Sequence, residues 1–82
     1  MTQHQLLATL VERRKRLGLN QSELAKIMGI SSFAVSHLEN DGREHPRVTT
    51  LIRYAAAVGL ELTLKEVAGG NEVQLRDPDD SR

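Results

Sequence analysis

Residues 21–40, QSELAKIMGISSFAVSHLEN, place two short amphipathic segments on either side of a single glycine. Asn20 is a suitable N-cap for the first segment, and Glu23, three residues on, completes a capping-box pattern. Leu24, Ala25, Ile27 and Met28 form its apolar side, and Gly29 stops it. Gly29 suits a backbone position with positive φ. Ser31 caps a second segment running from Ser32 to about Asn40, with Val35 and Leu38 facing inward. Ala25 is small where the two segments would cross closely. Leu24, Met28, Ile30, Val35 and Leu38 sit where apolar contacts would fix that crossing. The pattern therefore predicts two helices joined by a tight turn.

The flanking sequence extends this into a bundle. From Gln3 to Leu17 the apolar residues Leu6, Leu7, Leu10, Val11 and Leu17 keep helical spacing. Thr2 is a candidate cap and Gly18 a candidate stop. Asp41 to Pro46 is polar, carries Gly and Pro, and reads as a loop. Val48 to Val58 predicts a further helix, with Leu51, Ile52, Ala55 and Val58 inward and Gly59 at its end. The period then changes. Leu60-Glu61-Leu62-Thr63-Leu64-Lys65 alternates apolar and polar residues, as does Glu72 to Arg76, with a turn signal at Ala68-Gly69-Gly70-Asn71. The expectation is an all-α, four- to five-helix domain over residues 1–59. A strand or hairpin over 60–76 and an acidic, disordered tail over 77–82 follow it.

Two helices joined this way present the second to the major groove of DNA. The composition first speaks against such a role. The chain of 82 residues has 11 Lys plus Arg and 11 Asp plus Glu, a formal charge of zero. The sum hides two opposed halves. Residues 1–53 hold eight basic and five acidic side chains, a balance of +3, and residues 54–82 hold three and six, a balance of −3. The basic half carries the helix pair, so the objection weakens.

Other chemistry is poorly provided for. There is no cysteine, hence no thiolate metal site and no cysteine nucleophile. His4, His37 and His45 lack metal-ligand spacing, glycine-rich phosphate loops are missing, and Ser36 and His37 are neighbours that point about 100° apart on a helix. A binding protein without metal or cofactor is expected, not an enzyme. Residues 1–5 lack the basic-then-apolar order of a signal peptide, and no apolar run spans a membrane, so the expected location is cytoplasmic.

Residues 5–59 resemble the phage Cro and repressor family, the XRE-type helix-turn-helix regulators. The likeness rests on RRKRLGLNQSELA at 13–25, GIS at 29–31, SHLEN at 36–40 and TLIRYAAAVG at 50–59. Two departures are visible. Asp41 adds a residue before Gly42, and Ser32 and Phe33 stand where relatives often carry glutamine or other polar residues. The resemblance implies that Ser32, Phe33, Ser36 and His37 form the major-groove face. It further implies that Gln21, Asn40, Arg43 and Arg13 contact phosphates, and that Arg14 and Glu39 form a buried ion bridge between the first and third helices. Each role has a plainer alternative. Phe33 would be core, His37 and the run 13–16 would be solvated surface, and Arg14 and Glu39 would be unrelated charges.

The passage from the fourth helix into GLELTLKEV at 59–67 looks like the HipB-like antitoxins, in which a short strand pairs with its two-fold mate. Leu60, Leu62 and Leu64 would then be dimerisation residues, since an alternating strand with open hydrogen-bonding groups should not remain an uncovered edge. A hairpin folded within the chain is the alternative. The resulting expectation is a homodimeric, sequence-specific repressor on a palindromic operator of double-stranded DNA. More narrowly, it is an antitoxin that represses its own toxin–antitoxin operon and contacts a toxin protein. A protein-neutralising adaptor without DNA binding, or a metabolic repressor without a toxin, are the competing readings.

Overall fold

Three of the four helices begin where a side chain meets their unpaired N–H groups, and the fourth starts after Arg47 without a side-chain cap. In the computed structural model, which describes residues 2–40 and 46–76, α1 spans Gln3–Arg16, α2 Gln21–Met28, α3 Ser32–Asn40 and α4 Val48–Ala57. Thr2 Oγ1 accepts from the Gln5 N–H at 3.1 Å, and Gln5 Oε1 accepts from the Thr2 N–H at 2.7 Å. Asn20 and Glu23 exchange the same pair of bonds at 2.7 and 3.0 Å. Ser31 Oγ accepts from the Ala34 N–H at 3.1 Å. The helix stops are equally local. Gly29 sits at φ 74°, and the Ile30 N–H turns back to the Ala25 carbonyl at 3.0 Å. This is a Schellman ending with an apolar residue after the glycine. Helices α1 and α4 end the same way at Gly18-Leu19 and Gly59-Leu60.

The four helices close around Leu10, Leu24, Ala25, Val35, Leu51, Tyr54, Ala55 and Val58, all buried. A partly buried ring of Leu6, Leu7, Val11, Met28, Ile30, Leu38, Ala57, Leu60 and Leu62 packs against them. Three expectations need correction. Ile27 is 57% exposed, because Leu24, Ala25 and Met28 define a face whose centre lies about 100° from it. On α4, Leu51, Ala55 and Val58 are buried as expected, but the face is completed by Tyr54, which is fully buried, while Ile52 is only half-buried. Leu17 is exposed at the end of α1. The loop at 41–45 and the tail at 77–82 lie outside the described residues. No helix among the described residues is long and apolar enough to cross a membrane.

The strands pair within the chain. β1 (Leu62–Lys65) lies antiparallel to β2 (Glu72–Leu75), with Leu62 opposite Leu75 and Leu64 opposite Val73. The strand starts later than the alternation from Leu60 suggests. The Leu60 N–H is already used by the end of α4, donating to the Ala55 carbonyl at 2.8 Å. Period-two geometry puts Leu62, Leu64, Val73 and Leu75 on one face and Thr63, Lys65, Glu72 and Gln74 on the other. Leu62 packs against the helical core, whereas Leu64 and Val73 remain 61% and 62% exposed.

Gly29 offers a clean test of the α2–α3 turn. A Cβ there would meet nothing within 4 Å, so only the left-handed backbone opposes a side chain. Gly29→Ala is expected to lower stability by about 1 kcal/mol in urea unfolding, and Gly29→Asn by less.

Candidate nucleic-acid interface

The position of α3 is set from behind by one carboxylate. Glu39 lies in its last turn, with its side chain 4% exposed. Arg14 of α1 grips it with both arms of the guanidinium, Nε to Oε2 and Nη2 to Oε1, each at 2.8 Å. The Arg14 Nη1 donates to the Leu19 carbonyl at 2.8 Å, tying in the turn before α2. Gln21 Nε2 donates to Glu39 Oε1 at 3.1 Å, and the Tyr54 hydroxyl of α4 donates to Oε2 at 2.6 Å. All four helices therefore meet at Glu39. Burial alone would raise the Glu39 pKa. The donors from Arg14, Tyr54 and Gln21, with the Arg14 charge, outweigh it and hold the carboxyl below the usual carboxylate range. The Arg14 pKa is raised, first by its hydrogen bond to Glu39. That of Tyr54 is raised by burial and then by the same carboxylate. No buried side-chain nitrogen or oxygen among the described residues lacks a partner.

The opposite face of α3 is open. Ser32, Phe33, His37 and Asn40 are exposed and Ser36 is half-buried. Phe33 is 78% exposed, so the lone phenylalanine is not core. It stacks on His37 one turn later, with ring centroids 6.1 Å apart and planes 12° from parallel. Asn40 Nδ2 donates to Ser36 Oγ at 3.1 Å. One helical face thus collects the four residues expected at bases, with Asn40 at its end.

Other expected contacts have internal tasks. Gln21 is half-buried and spends an amide N–H on Glu39, although it does sit at the start of α2. Arg13 donates from Nε to the Val58 carbonyl at 3.0 Å, and its guanidinium lies beside Gly59. A cation at the C-terminus of α4 meets the negative end of the helix dipole. This is the physical reason that the Arg13 Nε turns toward the end of α4. Arg43 lies outside the described residues. Tyr54 and Gln21 were not read from the sequence as partners of Glu39. For Tyr54 the available signal was its place three residues after Leu51 and four before Val58, on the inward side of α4. Of the expected dimerisation residues, Leu60 and Leu62 are half-buried and Leu64 is exposed.

A family model described as helix-turn-helix matches residues 10–65. A candidate antitoxin of Mycobacterium tuberculosis, HigA3, is 40% identical over 67 residues, covering 80% of this chain and 62% of its own. The ImmF control region 10 kDa protein of Bacillus phage phi105 is 39% identical over 57 residues, covering 70% of this chain and 62% of its own. The chain thus spans about three fifths of the length of these relatives. A solved structure of a HigA antitoxin, described by its unique dimerization and induced DNA bending, superposes with a TM-score of 0.60 at 40% identity. The match covers 80% of this chain and 88% of that one.

Removing one member of the buried pair leaves an uncompensated charge, so Arg14→Ala is expected to destabilise the fold by about 3–5 kcal/mol in chemical denaturation. The Glu39 pKa is lower folded than unfolded. The stabilisation from its ionisation is therefore complete above the unfolded value of about 4.3 and is lost as pH falls through the folded value. Glu39→Gln should be less stable at pH 7 and should show a shallower loss of stability from about pH 5 to pH 2. An unchanged slope would remove Glu39 as a source of acid sensitivity.

Proposed function

The chain belongs to the XRE-type helix-turn-helix family, and from that premise we propose that it is a homodimeric, sequence-specific DNA-binding repressor of a palindromic operator. The observation that carries this reading is the two-sidedness of α3. Its inner edge is locked by Glu39 to the other three helices, and its outer face presents Ser32, Phe33, Ser36 and His37 together. A rigid helix with one open, outward face suits the width of the major groove, where side chains reach base edges. Asn40 closes that face, and Gln21 opens α2 beside it, with helix N–H groups directed at the phosphate backbone. Arg43 is the further phosphate contact.

Serines discriminate weakly among bases, so binding by one protomer is weak and two half-sites are needed. Spaced about one helical turn, near 34–36 Å, they match a two-fold dimer. The hairpin supplies the dimer contact, through the open edge of its sheet and the exposed Leu64, with Leu60 and Leu62 anchoring it to the helices. On this reading residues 1–59 bind DNA and residues 60–76 join the protomers. The named likeness to HigA antitoxins favours the narrower role of an antitoxin that represses its own operon. The acidic C-terminal half is the side available to a toxin. Among the described residues no group of His, Cys, Asp or Glu could hold a metal, and the proposed role is binding without catalysis.

Selection from a random duplex pool should enrich one palindromic sequence, and failure to enrich any would sink the repressor reading. Affinity for the enriched duplex should fall with salt, with a log–log slope no steeper than roughly −5 for six neutralised phosphates. Leu64→Lys should yield monomers in sedimentation velocity and weaken operator binding. A variant that remains dimeric would place the protomer contact elsewhere.

A further inference from the structure

We infer that Phe33 reads the 5-methyl group of a thymine in each operator half-site, with His37 as the positioning residue that holds its ring. The inference rests on the DNA-binding reading above and deepens it. Phe33 is the one large apolar side chain exposed on α3, at 78%. It stands among polar neighbours, Ser32, Ser36, His37 and Asn40. It is the second residue of the helix, and the N-terminal residues of a recognition helix are those that reach base edges.

A phenyl ring placed against base edges covers donors and acceptors without replacing their hydrogen bonds, which is unfavourable. The major groove offers one apolar feature that avoids this, the C5-methyl of thymine. The ring is also held before DNA arrives. Its stack on His37, at 6.1 Å and 12°, limits the rotamers it samples, so less freedom is lost on binding. The serines on either side accept or donate to several bases. Discrimination at this position therefore falls to the methyl contact.

The test uses the full chain and the duplex enriched from the random pool. Each thymine in turn is replaced by deoxyuridine, which removes the methyl and leaves every base-pairing group in place. One thymine per half-site is expected to give binding about three- to fivefold weaker, and replacement in both half-sites about tenfold or more. Phe33→Ala should bind thymine and deoxyuridine duplexes equally, with an unchanged circular dichroism spectrum. His37→Ala should reduce the thymine-to-deoxyuridine ratio, and His37→Phe, which keeps a stacked ring, should restore it. A merely structural role for His37 would leave that ratio unmoved. Equal binding of all deoxyuridine duplexes by the wild-type chain overturns the inference while leaving the repressor reading intact. So does a Phe33→Ala variant that loses self-association and keeps its deoxyuridine discrimination, which would mark Phe33 as a protein contact. Absence of any enriched duplex overturns both readings.

Discussion

The carboxylate of Glu39 is the joint on which the helical domain turns. It takes hydrogen bonds from Arg14, Gln21 and Tyr54, residues contributed by three different helices. A buried ion pair adds little net stability over a well-packed apolar substitute, because both charges must leave water. Its effect here is geometric. Within α3 only Val35 is fully buried, too little apolar contact to fix the rotation of a nine-residue helix. Directional bonds at the other end of the helix set that rotation, and with it the direction in which Ser32, Phe33 and His37 point.

That arrangement separates the molecule's tasks. The inner network ties α3 to the other three helices and leaves Ser32, Phe33, His37 and Asn40 exposed on its outer face. Arg13 serves the same end at a distance by joining α1 to the last turn of α4 at the Val58 carbonyl. The hairpin carries its own amphipathic division, with Leu62 seated on the core and Leu64 and Val73 left outside. The zero net charge of the chain is a sum of two opposed sequence halves, +3 over residues 1–53 and −3 over residues 54–82.

Legibility followed the range of each interaction. The Asn20–Glu23 capping box, the Thr2 cap and the glycine-terminated turns at Gly18, Gly29 and Gly59 could be read directly, since every partner lies within a few residues. The Arg14–Glu39 pair was reached through family resemblance, because no local rule connects residues 25 positions apart. Gln21 and Arg13 were read as phosphate contacts, yet each has an internal acceptor, Glu39 and Val58 respectively. Those acceptors come near only after the helices pack.

The sequence by itself determined where helices start and stop, the change from helical to alternating period near residue 60, and the collection of Ser32, Phe33, Ser36 and His37 on one helical face. These depend on backbone geometry and on neighbours a turn away. Tertiary structure decided the finer rotation of α2 and α4, exposing Ile27 and burying Tyr54. It also decided that β1 pairs with β2 from Leu62 onward. The reason is common to both. An amphipathic stripe is wide enough to allow rotations of about one residue. Only the competition among all four helices for one core, and for one buried carboxylate, selects among them.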